Sequence, residues 1–434
     1  MNDPVILTLL GLAATFALLL LHVPVGIAMG IAGVVGFAAL AGPSPALAMI
    51  ASEVAVTLSS LDLLTIPLFI MMGAFANVAG LSEDLYRLAY ALIGHRRGGL
   101  AAATISGCAG FGAVCGSSVA TTATFGWAAL PSMRKRGYEP GFSAATVAAG
   151  GTMGTLIPPS SAMVVYAVLA QELIVTMYIA ALLPALLAVL MQYGAIAIYS
   201  RCYPLHAPIG PKAPMNERLH ALAQSWQVIL LALIVVGGMV GGAFTATEAA
   251  AVGAAIAFVF ALMRGALTLT GLRRALTSTA STSAMIYVLL IGASLFGYFA
   301  AVTQTPRVLV EAVEGSGIPV WAAMCLILLV FIVAGAFFDE LAAMVIAMPF
   351  ALPLVISWGF DPVWWGVINI VIIEIGQLTP PLGMNVFVVH GVAPDIPFSK
   401  IYRGVLPYLA SSFLRLGILM AFPMLVLWLP SVLS

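Results

Sequence analysis

A run of small and hydroxyl-bearing residues lies inside an apolar stretch and has the chemistry of an ion site. Residues 110–122 read Gly-Phe-Gly-Ala-Val-Cys-Gly-Ser-Ser-Val-Ala-Thr-Thr. Hydroxyl oxygens and carbonyl oxygens freed at glycines are hard ligands, and they suit Na⁺, which does not need a full shell of carboxylates. A helix that starts after Gly116 would also point its first amides at this place, which favours an anion. The alternative is that the small residues only allow close helix packing.

Two other segments carry a proline pair within apolar sequence. Residues 150–161 read Gly-Gly-Thr-Met-Gly-Thr-Leu-Ile-Pro-Pro-Ser-Ser, and residues 376–385 read Gly-Gln-Leu-Thr-Pro-Pro-Leu-Gly-Met-Asn. Proline removes a backbone donor and clashes with the preceding turn, so each pair should break a helix. The freed carbonyls could hold a cation, and the new helix N-terminus could hold a carboxylate. A kink without any ligand is the alternative.

Four carboxylates lie in apolar sequence, where an ionisable side chain is a functional candidate by default. Asp339 and Glu340 are adjacent, and Asp339 is a candidate for a role at a cation site. Glu248 follows Thr245 and fits the first turn of a helix at least as well as it fits a functional site. Glu374 precedes the second proline pair, where it could titrate, pair with a neighbour or fix the helix.

The remaining reactive side chains form no catalytic or metal-binding pattern. The five histidines show no paired metal spacing. The cysteines fit no zinc pattern, and we interpret them as packing residues: Cys108, Cys115, Cys202 and Cys325. We find no Ser-His-Asp arrangement and no phosphate-binding loop, which argues against ATP hydrolysis. We therefore expect no enzyme activity and no cofactor.

The proline-pair segments belong to a longer correspondence between two halves of the chain. Residues 137–140 (Gly-Tyr-Glu-Pro) recur as residues 359–362 (Gly-Phe-Asp-Pro), 222 positions later. The same shift carries residues 154–159 onto 376–381, and it carries Pro131 onto another proline. Three landmarks at one offset indicate two structural repeats. Because each repeat has a Gly/Pro break in an apolar segment, the pattern is typical of a membrane protein with a binding site at the repeat interface.

Composition places the chain in the membrane. It is 62% hydrophobic and 7% charged, with a mean hydropathy of +1.13 and a formal net charge of zero. Apolar runs long enough to span a bilayer recur along it, and they lack the alternation of a transmembrane barrel. The neutral charge argues against nucleic-acid binding. The N-terminus has no basic residue, so we predict no cleaved signal peptide.

Charge also predicts which side of the membrane each loop faces, since basic loops stay in the cytoplasm. Basic loops are expected at residues 87–97, 134–136, 201–218, 264–274 and 400–403. Loops poor in Lys and Arg are expected near residues 41–62, 169–175, 243–247, 303–320 and 357–362. Residues 134–136 are Arg-Lys-Arg, whereas their equivalents 356–358 carry no charge. The same element therefore faces opposite sides in the two halves, which predicts inverted repeats.

The predicted fold follows from this arrangement. It is an all-α polytopic membrane protein of two inverted repeats, about 1–205 and 222–434, with a cytoplasmic linker at 206–221 and both termini periplasmic. Each repeat should contain a re-entrant hairpin and a broken helix, because irregular backbone at membrane depth must line a cavity or be buried. The hairpins are expected at about 98–133 and 320–356, and the broken helices at about 141–168 and 363–390. Asp339 and Glu340 follow Ser117 and Ser118 by 222 residues, so they are expected at the second hairpin tip. The other apolar stretches make about ten or eleven helices.

These segments resemble the large membrane subunit of tripartite ATP-independent periplasmic (TRAP) transporters, the DctM-like family. The matching segments are Gly-Ala-Val-Cys-Gly-Ser-Ser-Val-Ala-Thr at 112–121, Pro-Ser-Met at 131–133 with Gly-Tyr at 137–138, Gly-Thr-Leu-Ile-Pro-Pro-Ser at 154–160, Phe-Thr-Ala-Thr-Glu-Ala-Ala-Ala at 244–251, Thr-Pro-Pro-Leu-Gly-Met-Asn at 379–385 and Arg-Gly-Val-Leu-Pro at 403–407. The resemblance covers about residues 5–425. Ala246 departs from it, because the family usually has proline there, and this affects a local turn.

The resemblance implies a Na⁺-driven, elevator-type secondary transporter in the cytoplasmic membrane of a bacterium or archaeon. It implies two protein partners: a small four-helix membrane subunit, expected as a separate polypeptide, and a periplasmic substrate-binding protein. The latter captures an organic anion, typically a carboxylate, and delivers it. The expected surroundings are the lipid bilayer, and the coupling ion is Na⁺.

The patterns and the resemblance together give a predicted site. The sodium-binding residues are predicted as Gly112, Ser117, Gly151, Gly154, Gly335, Asp339, Thr379 and Met384. The substrate-binding residues are predicted as Ser118, Thr121, Pro158, Ser160, Pro381, Gly383 and Asn385. The nearest alternative is a stand-alone sodium/dicarboxylate or anion symporter of related hairpin architecture. An intramembrane enzyme and a channel are more remote alternatives.

Overall fold

The computed structural model describes residues 4–433, which form 21 α-helices and no β-strand. The all-α prediction is confirmed. The first ten helices are α1 (Pro4–Leu20), α2 (Val25–Ala41), α3 (Pro43–Ser59), α4 (Thr65–Val78), α5 (Leu81–Ile93), α6 (Gly99–Cys115), α7 (Ser118–Lys135), α8 (Pro140–Leu156), α9 (Ser161–Ala170) and α10 (Ile174–Cys202). The others are α11 (Met215–Gln224), α12 (Trp226–Val240), α13 (Ala246–Met263), α14 (Leu269–Val302), α15 (Thr305–Gly315), α16 (Val320–Phe337), α17 (Glu340–Ser357), α18 (Pro362–Leu378), α19 (Met384–Val392), α20 (Phe398–Ala421) and α21 (Met424–Leu433).

Both proline pairs interrupt a helix. Helix α8 ends two residues before Pro158 and continues as α9 at an angle of 42°. Helix α18 likewise ends two residues before Pro380, and α19 resumes after Gly383. Proline lacks the N–H that would bond to the preceding turn, so the helical ladder cannot run through either pair. The backbone around both breaks is therefore available for other partners.

The two hairpins are helix pairs joined by very short turns. Helices α6 and α7 meet at Gly116 and Ser117, and α16 and α17 meet at Phe338 and Asp339. Gly116 has φ +65°, a left-handed conformation that glycine adopts without steric cost. The Ser117 hydroxyl and the Asp339 carboxylate cap α7 and α17 by accepting hydrogen bonds from backbone amides. Each hairpin tip is thus ordered by its own sequence.

Equivalent helices in the two halves have matching bounds. Helices α7 and α8 cover 118–135 and 140–156, and α17 and α18 cover 340–357 and 362–378. All four bounds differ by 222 residues, the offset of the sequence motifs. How these helices are oriented relative to a membrane remains a prediction.

Packing places the broken helices at the centre. Helices α8 and α18 are buried over their whole length except their first residues, with α6 and α7 against α8 and with α16 and α17 against α18. A second group of helices lies beside them, in which α2 packs along α14 and α4 packs along α13. The central group holds the segments with candidate chemistry, and the second group forms a wall against which they lie.

Several segments expected as loops or linker contain helix. The stretches near 41–62 and 303–320, expected as loops, contain helices α3 and α15. The stretch at 206–221, expected as a linker, contains most of α11. Of the expected basic loops, 400–403 lies within α20 and much of 87–97 lies in α5. For α11 and α15 the physical reason is amphipathicity: a helix along a surface needs only one apolar face, so its polar residues do not prevent it from forming.

Several helices have the length and composition of membrane spans. Among residues 4–433, six helices meet both criteria, and the number rises to nine if each of three bent pairs counts as one span. The six are α10, α13, α14, α16, α17 and α20. The bent pairs are α4 with α5, α8 with α9, and α11 with α12.

Candidate functional site

Each hairpin tip is hydrogen-bonded to the break of the neighbouring helix. The backbone amide and the hydroxyl of Ser161 both donate to the carbonyl oxygen of Gly116, at 3.2 and 2.9 Å. In the other half, the amide of Gly383 donates to the carbonyl oxygen of Ala336 at 3.0 Å. A β-carbon at position 116 would lie 2.7 Å from the carbonyl oxygen of Pro159. The approach of tip to break therefore requires glycine at this turn.

The two halves also contact each other through polar side chains at equivalent positions. The Ser118 hydroxyl donates to Gln377 Oε1 at 2.9 Å, and the Thr155 hydroxyl donates to Glu340 Oε2 at 2.6 Å. Glu340 is the position of Ser118 shifted by 222, and Gln377 is the position of Thr155 shifted by 222. Gln377 Nε2 also donates to Glu340 Oε2 at 3.1 Å, which joins both contacts into one buried network.

Asn385 extends this network toward the first broken helix. Its Nδ2 lies 2.7 Å from the Ser118 hydroxyl and donates to the carbonyl oxygen of Ala148 at 3.2 Å. Ser118 and Asn385 are fully buried. The predicted substrate residues Ser118 and Asn385 are therefore brought together, but they bond to each other in the protein interior.

A second group of oxygens lies behind the first hairpin tip. A β-carbon at Gly154 would lie 2.6 Å from Thr121 Oγ1 and 2.6 Å from the carbonyl oxygen of Ser117. A β-carbon at Gly112 would lie 2.8 Å from the Cα of Gly154, so the two helices touch along their backbones.

The threonine next in sequence faces the same helix. A β-carbon at Gly151 would lie closest to Thr122 Oγ1. The Thr121 and Thr122 hydroxyls are buried and have no hydrogen-bond partner among residues 4–433. Hydroxyl and carbonyl oxygens in this arrangement have the chemistry of a hard-cation site, since a buried oxygen without a partner is costly.

A cavity of about 490 Å³ opens beside both tips. Ser117, Asp339 and Met384, three of the predicted sodium residues, line it together with Ser161 and Glu340. The opposite wall comes from α4 and α14 and carries three polar residues: Asn77, Ser278 and Thr282. No lysine or arginine lines this cavity. Its volume is in the range of small-molecule sites.

Other predicted residues have local structural partners. The Thr379 hydroxyl donates to the carbonyl oxygen of Ile375 at 2.7 Å, within its own helix. The Ser160 hydroxyl caps α9, and Pro158 is buried in the break. Pro381 is exposed, and its carbonyl oxygen accepts from the Tyr402 hydroxyl at 3.0 Å. A β-carbon at Gly335 would lie 3.3 Å from the Cα of Gly376, so these two glycines pack closely together.

The other intramembrane carboxylates have structural roles. Glu248 and Thr245 form a capping box at the start of α13, as the helix-start interpretation predicts. Glu374 pairs with Arg415 through a 2.6 Å contact, and both side chains are 2% exposed. Of the options considered for Glu374, pairing with a neighbour is the one observed. The described chain has no cluster of three or more His, Cys, Asp or Glu that could hold a metal.

Sequence reasoning named Glu340 but did not place it in the site, and it missed Gln377 and Thr155. The repeat offset was the available signal, because it pairs Glu340 with Ser118 and Gln377 with Thr155. The wall residues on α4 and α14 gave no comparable signal, since Ser and Thr are common in packed helices.

Comparison with known proteins identifies the family. Residues 12–425 match the profile of the tripartite ATP-independent periplasmic transporter, DctM component. The isethionate TRAP transporter permease protein DctMQ of Oleidesulfovibrio alaskensis is 36% identical over 402 residues, and the match covers 91% of this chain and 62% of that protein. The C4-dicarboxylate TRAP transporter large permease protein DctM of Pseudomonas aeruginosa is 35% identical, with 85% and 84% covered.

A third relative is also a TRAP transporter permease, and a solved structure shares the fold. The sialic acid TRAP transporter large permease protein SiaM of Vibrio cholerae is 33% identical over 374 residues, with 86% of this chain and 87% of that protein covered. The crystal structure of the Alcanivorax borkumensis YdaH transporter has a TM-score of 0.62 at 17% identity and covers 98% of this chain and 100% of that chain, which shows a shared fold. These relatives are transporter permeases and not enzymes. Together with the apolar helices, they make this chain a multi-pass inner-membrane protein that belongs to the DctM-component family of TRAP transporters, as its large membrane subunit.

Proposed function

We propose that the chain is the permease subunit of a sodium-coupled importer of an organic acid, and that two inverted repeats build its transport site. The reciprocal contacts carry this proposal: Ser118 with Gln377, and Glu340 with Thr155. If the two repeats are related by a two-fold axis, every contact between them occurs twice, at equivalent positions. These two contacts are equivalent in that way. In transporters built this way, substrate and ion sites lie where the repeats meet.

The proposed first cation site lies behind the first hairpin tip. Its oxygens would come from the Ser117 carbonyl and the Thr121 hydroxyl, and Gly112, Gly151 and Gly154 let α6, α7 and α8 approach closely enough to bring them together. Thr121 was predicted as a substrate residue, but its position against Gly154 favours a cation role. Gly335, Asp339, Thr379 and Met384 remain the proposed sodium residues of the second half.

The proposed substrate site is the cavity between the tips and helices α4 and α14. Relatives carry C4-dicarboxylate, sialic acid and isethionate in their names, and each is an organic acid. Because Asp339 and Glu340 line this cavity and no basic residue does, an anion needs positive charge from elsewhere. A bound Na⁺ and the N-terminal end of α7 would supply it, since the first amides of α17 already bond to Asp339. This makes anion binding depend on sodium, which is the basis of coupling.

The location of the cavity supports elevator-type movement. Its two walls belong to different helix groups, with the tips on one side and α4 and α14 on the other. Sliding the central group along this wall would carry a bound substrate across the membrane. The tripartite family description further supports two partners, the small four-helix membrane subunit and the periplasmic substrate-binding protein.

Sodium binding is tested by unfolding the purified chain in NaCl and in KCl at equal ionic strength. A ligand that binds only the folded state stabilises it by RT ln(1 + [L]/Kd). The wild type should unfold at a higher temperature in NaCl, and Thr121→Val should lose this difference while keeping its volume. Thr279→Val is the matched control, because Thr279 also has a buried hydroxyl without a partner but lies on α14. Equal unfolding in both salts for the wild type would contradict the sodium site.

A further inference from the structure

Helix α11 exposes an apolar stripe that no other described part of the chain covers. Met215, Leu219 and Leu222 are 66%, 58% and 47% exposed and follow each other at spacings of four and three residues. Trp226, the first residue of α12, is 47% exposed and continues the stripe. Helix α11 meets the apolar helix α12 at a bend of 51°. A stripe of this kind, next to a span and ending in tryptophan, is typical of a helix at the membrane interface.

A cluster of basic groups lies beside this helix. Partial burial lowers the pKa of His95, and the charges that lower it further come from Arg218, Arg96 and Lys212. Arg218 Nε and Nη2 and His95 Nδ1 are buried and have no hydrogen-bond partner among residues 4–433. The ion pairs of the described chain involve none of these three cations. Glu217, next to Arg218, lines the separate groove between α5 and α11.

We propose that this basic cluster binds the phosphate of an anionic lipid headgroup while the α11 stripe enters the same leaflet. Buried guanidinium donors without partners favour an oxyanion, and phosphate accepts several such hydrogen bonds. Apolar side chains beside Lys and Arg favour an anionic bilayer surface over a soluble anion alone. The charge distribution assigns this face to the cytoplasm, where anionic lipids are recognised by juxtamembrane basic residues.

This proposal is independent of the transported substrate. The cluster lies at the start of α6 and in the segment that joins the two halves, whereas the substrate cavity lies at the hairpin tips. A lipid bound here would link the loop before the first hairpin to α11. It would thereby tie the cytoplasmic end of the first hairpin to the segment that joins the two halves.

The test measures lipid binding to the purified full-length chain by native mass spectrometry, with phosphatidylglycerol and phosphatidylcholine as the two probes. Arg218→Gln and the exposed Lys212→Gln remove one charge each. Arg274→Gln is the matched control, because Arg274 is an exposed arginine near the start of α14, outside this cluster. Unfolding temperatures in detergent establish that each variant is folded, and if Arg218→Gln does not fold, Lys212→Gln carries the test.

Phosphatidylglycerol should bind the wild type more tightly than phosphatidylcholine. Each charge removal in the cluster should weaken phosphatidylglycerol binding about fivefold, the equivalent of about 1 kcal/mol per basic residue at an anionic surface, and the control should not. Equal binding by all three variants would overturn the proposal. Displacement of the lipid by inorganic phosphate would overturn it in favour of a soluble-anion site. Loss of lipid binding when the small subunit is added would assign the surface to that protein instead.

Discussion

Replacing Gly154 by alanine separates the role of the tip in ion binding from its role in folding. The added β-carbon would lie 2.6 Å from Thr121 Oγ1 and 2.6 Å from the carbonyl oxygen of Ser117, closer than such atoms approach without a shift. One of the two oxygens belongs to the backbone, so a side-chain rotation alone does not relieve the contact. The substitution should therefore displace the proposed cation ligands directly.

The substitution should lower the free energy of unfolding by an amount that is small compared with the total stability of a folded protein. Overpacking costs about 1–3 kcal/mol, and alanine recovers up to about 1 kcal/mol through its higher helix propensity. The net destabilisation in KCl should be about 0–3 kcal/mol, so Gly154→Ala should still fold. Its additional stabilisation by NaCl should be lost, because the ion's oxygens are moved and its space is occupied.

The control is Gly194→Ala on α10, where a β-carbon meets nothing within 4 Å. This variant should keep the full difference between NaCl and KCl and should be as stable as the wild type or more so. Thermal unfolding in both salts measures both effects in one experiment. The reasoning is refuted if Gly154→Ala folds and keeps the sodium-dependent difference of the wild type.

Three more predictions follow from other parts of the chain. In a cysteine-free background, a cysteine at Lys135 should be labelled only from the cytoplasm and one at Gly359 only from the periplasm; labelling of both from one side would rule out inverted repeats. Arg415→Met should lower the free energy of unfolding by about 3–5 kcal/mol, because it leaves the buried Glu374 without a partner. Adding Glu374→Gln should restore most of this loss, as measured by thermal unfolding. No effect of the single change would contradict the buried pair. Arg134 donates a hydrogen bond to Asp395 at 2.9 Å and holds the pKa of that carboxyl below its usual 3.8. The stability that this carboxylate contributes is present above pH 3.8 and is lost as the pH falls through the lowered value. Asp395→Asn should remove this part of the acid dependence of unfolding, and an unchanged acid dependence would contradict the Arg134–Asp395 pair.

The turns and helix breaks of the central group could be predicted from local sequence. Proline pairs, glycines at turns and capping residues each act on their nearest neighbours, so the tip at Gly116 and the break at Pro158 follow from a few adjacent residues. The repeat offset added a long-range constraint, because it placed Asp339 and Glu340 at the second tip without any local turn signal.

Partners across the fold could not be predicted in the same way. Ser118 and Gln377 are 259 residues apart, and only the packing of α7 against the second broken helix region brings them together. Arg415 lies in a segment with exposed neighbours, so sequence gives no reason to expect it at 2% exposure. The cavity wall on α14 depends on which face of a 34-residue helix turns inward, and serine and threonine occur on several faces.

The amphipathic helices show a limit of the hydropathy argument. Helix α15 has the charges Arg307, Glu311 and Glu314 in eleven residues and is still a helix, although its apolar residues Leu309, Val310 and Val313 are only half-buried. A search for apolar runs detects spans but passes over helices that lie along the membrane surface. The expected loops at 41–62 and 303–320 were assigned from their low content of Lys and Arg, a criterion that does not detect helices.

Uptake into proteoliposomes tests the central claim most directly. The large chain, the small subunit and the cognate binding protein are combined, with the organic acid that thermal-shift screening of that binding protein identifies. Uptake should require all three proteins and an inward Na⁺ gradient, and an inward K⁺ gradient or ATP should not replace it. Sodium-dependent uptake by the large chain alone would favour a stand-alone symporter, and uptake by the full system without a Na⁺ gradient would contradict sodium coupling.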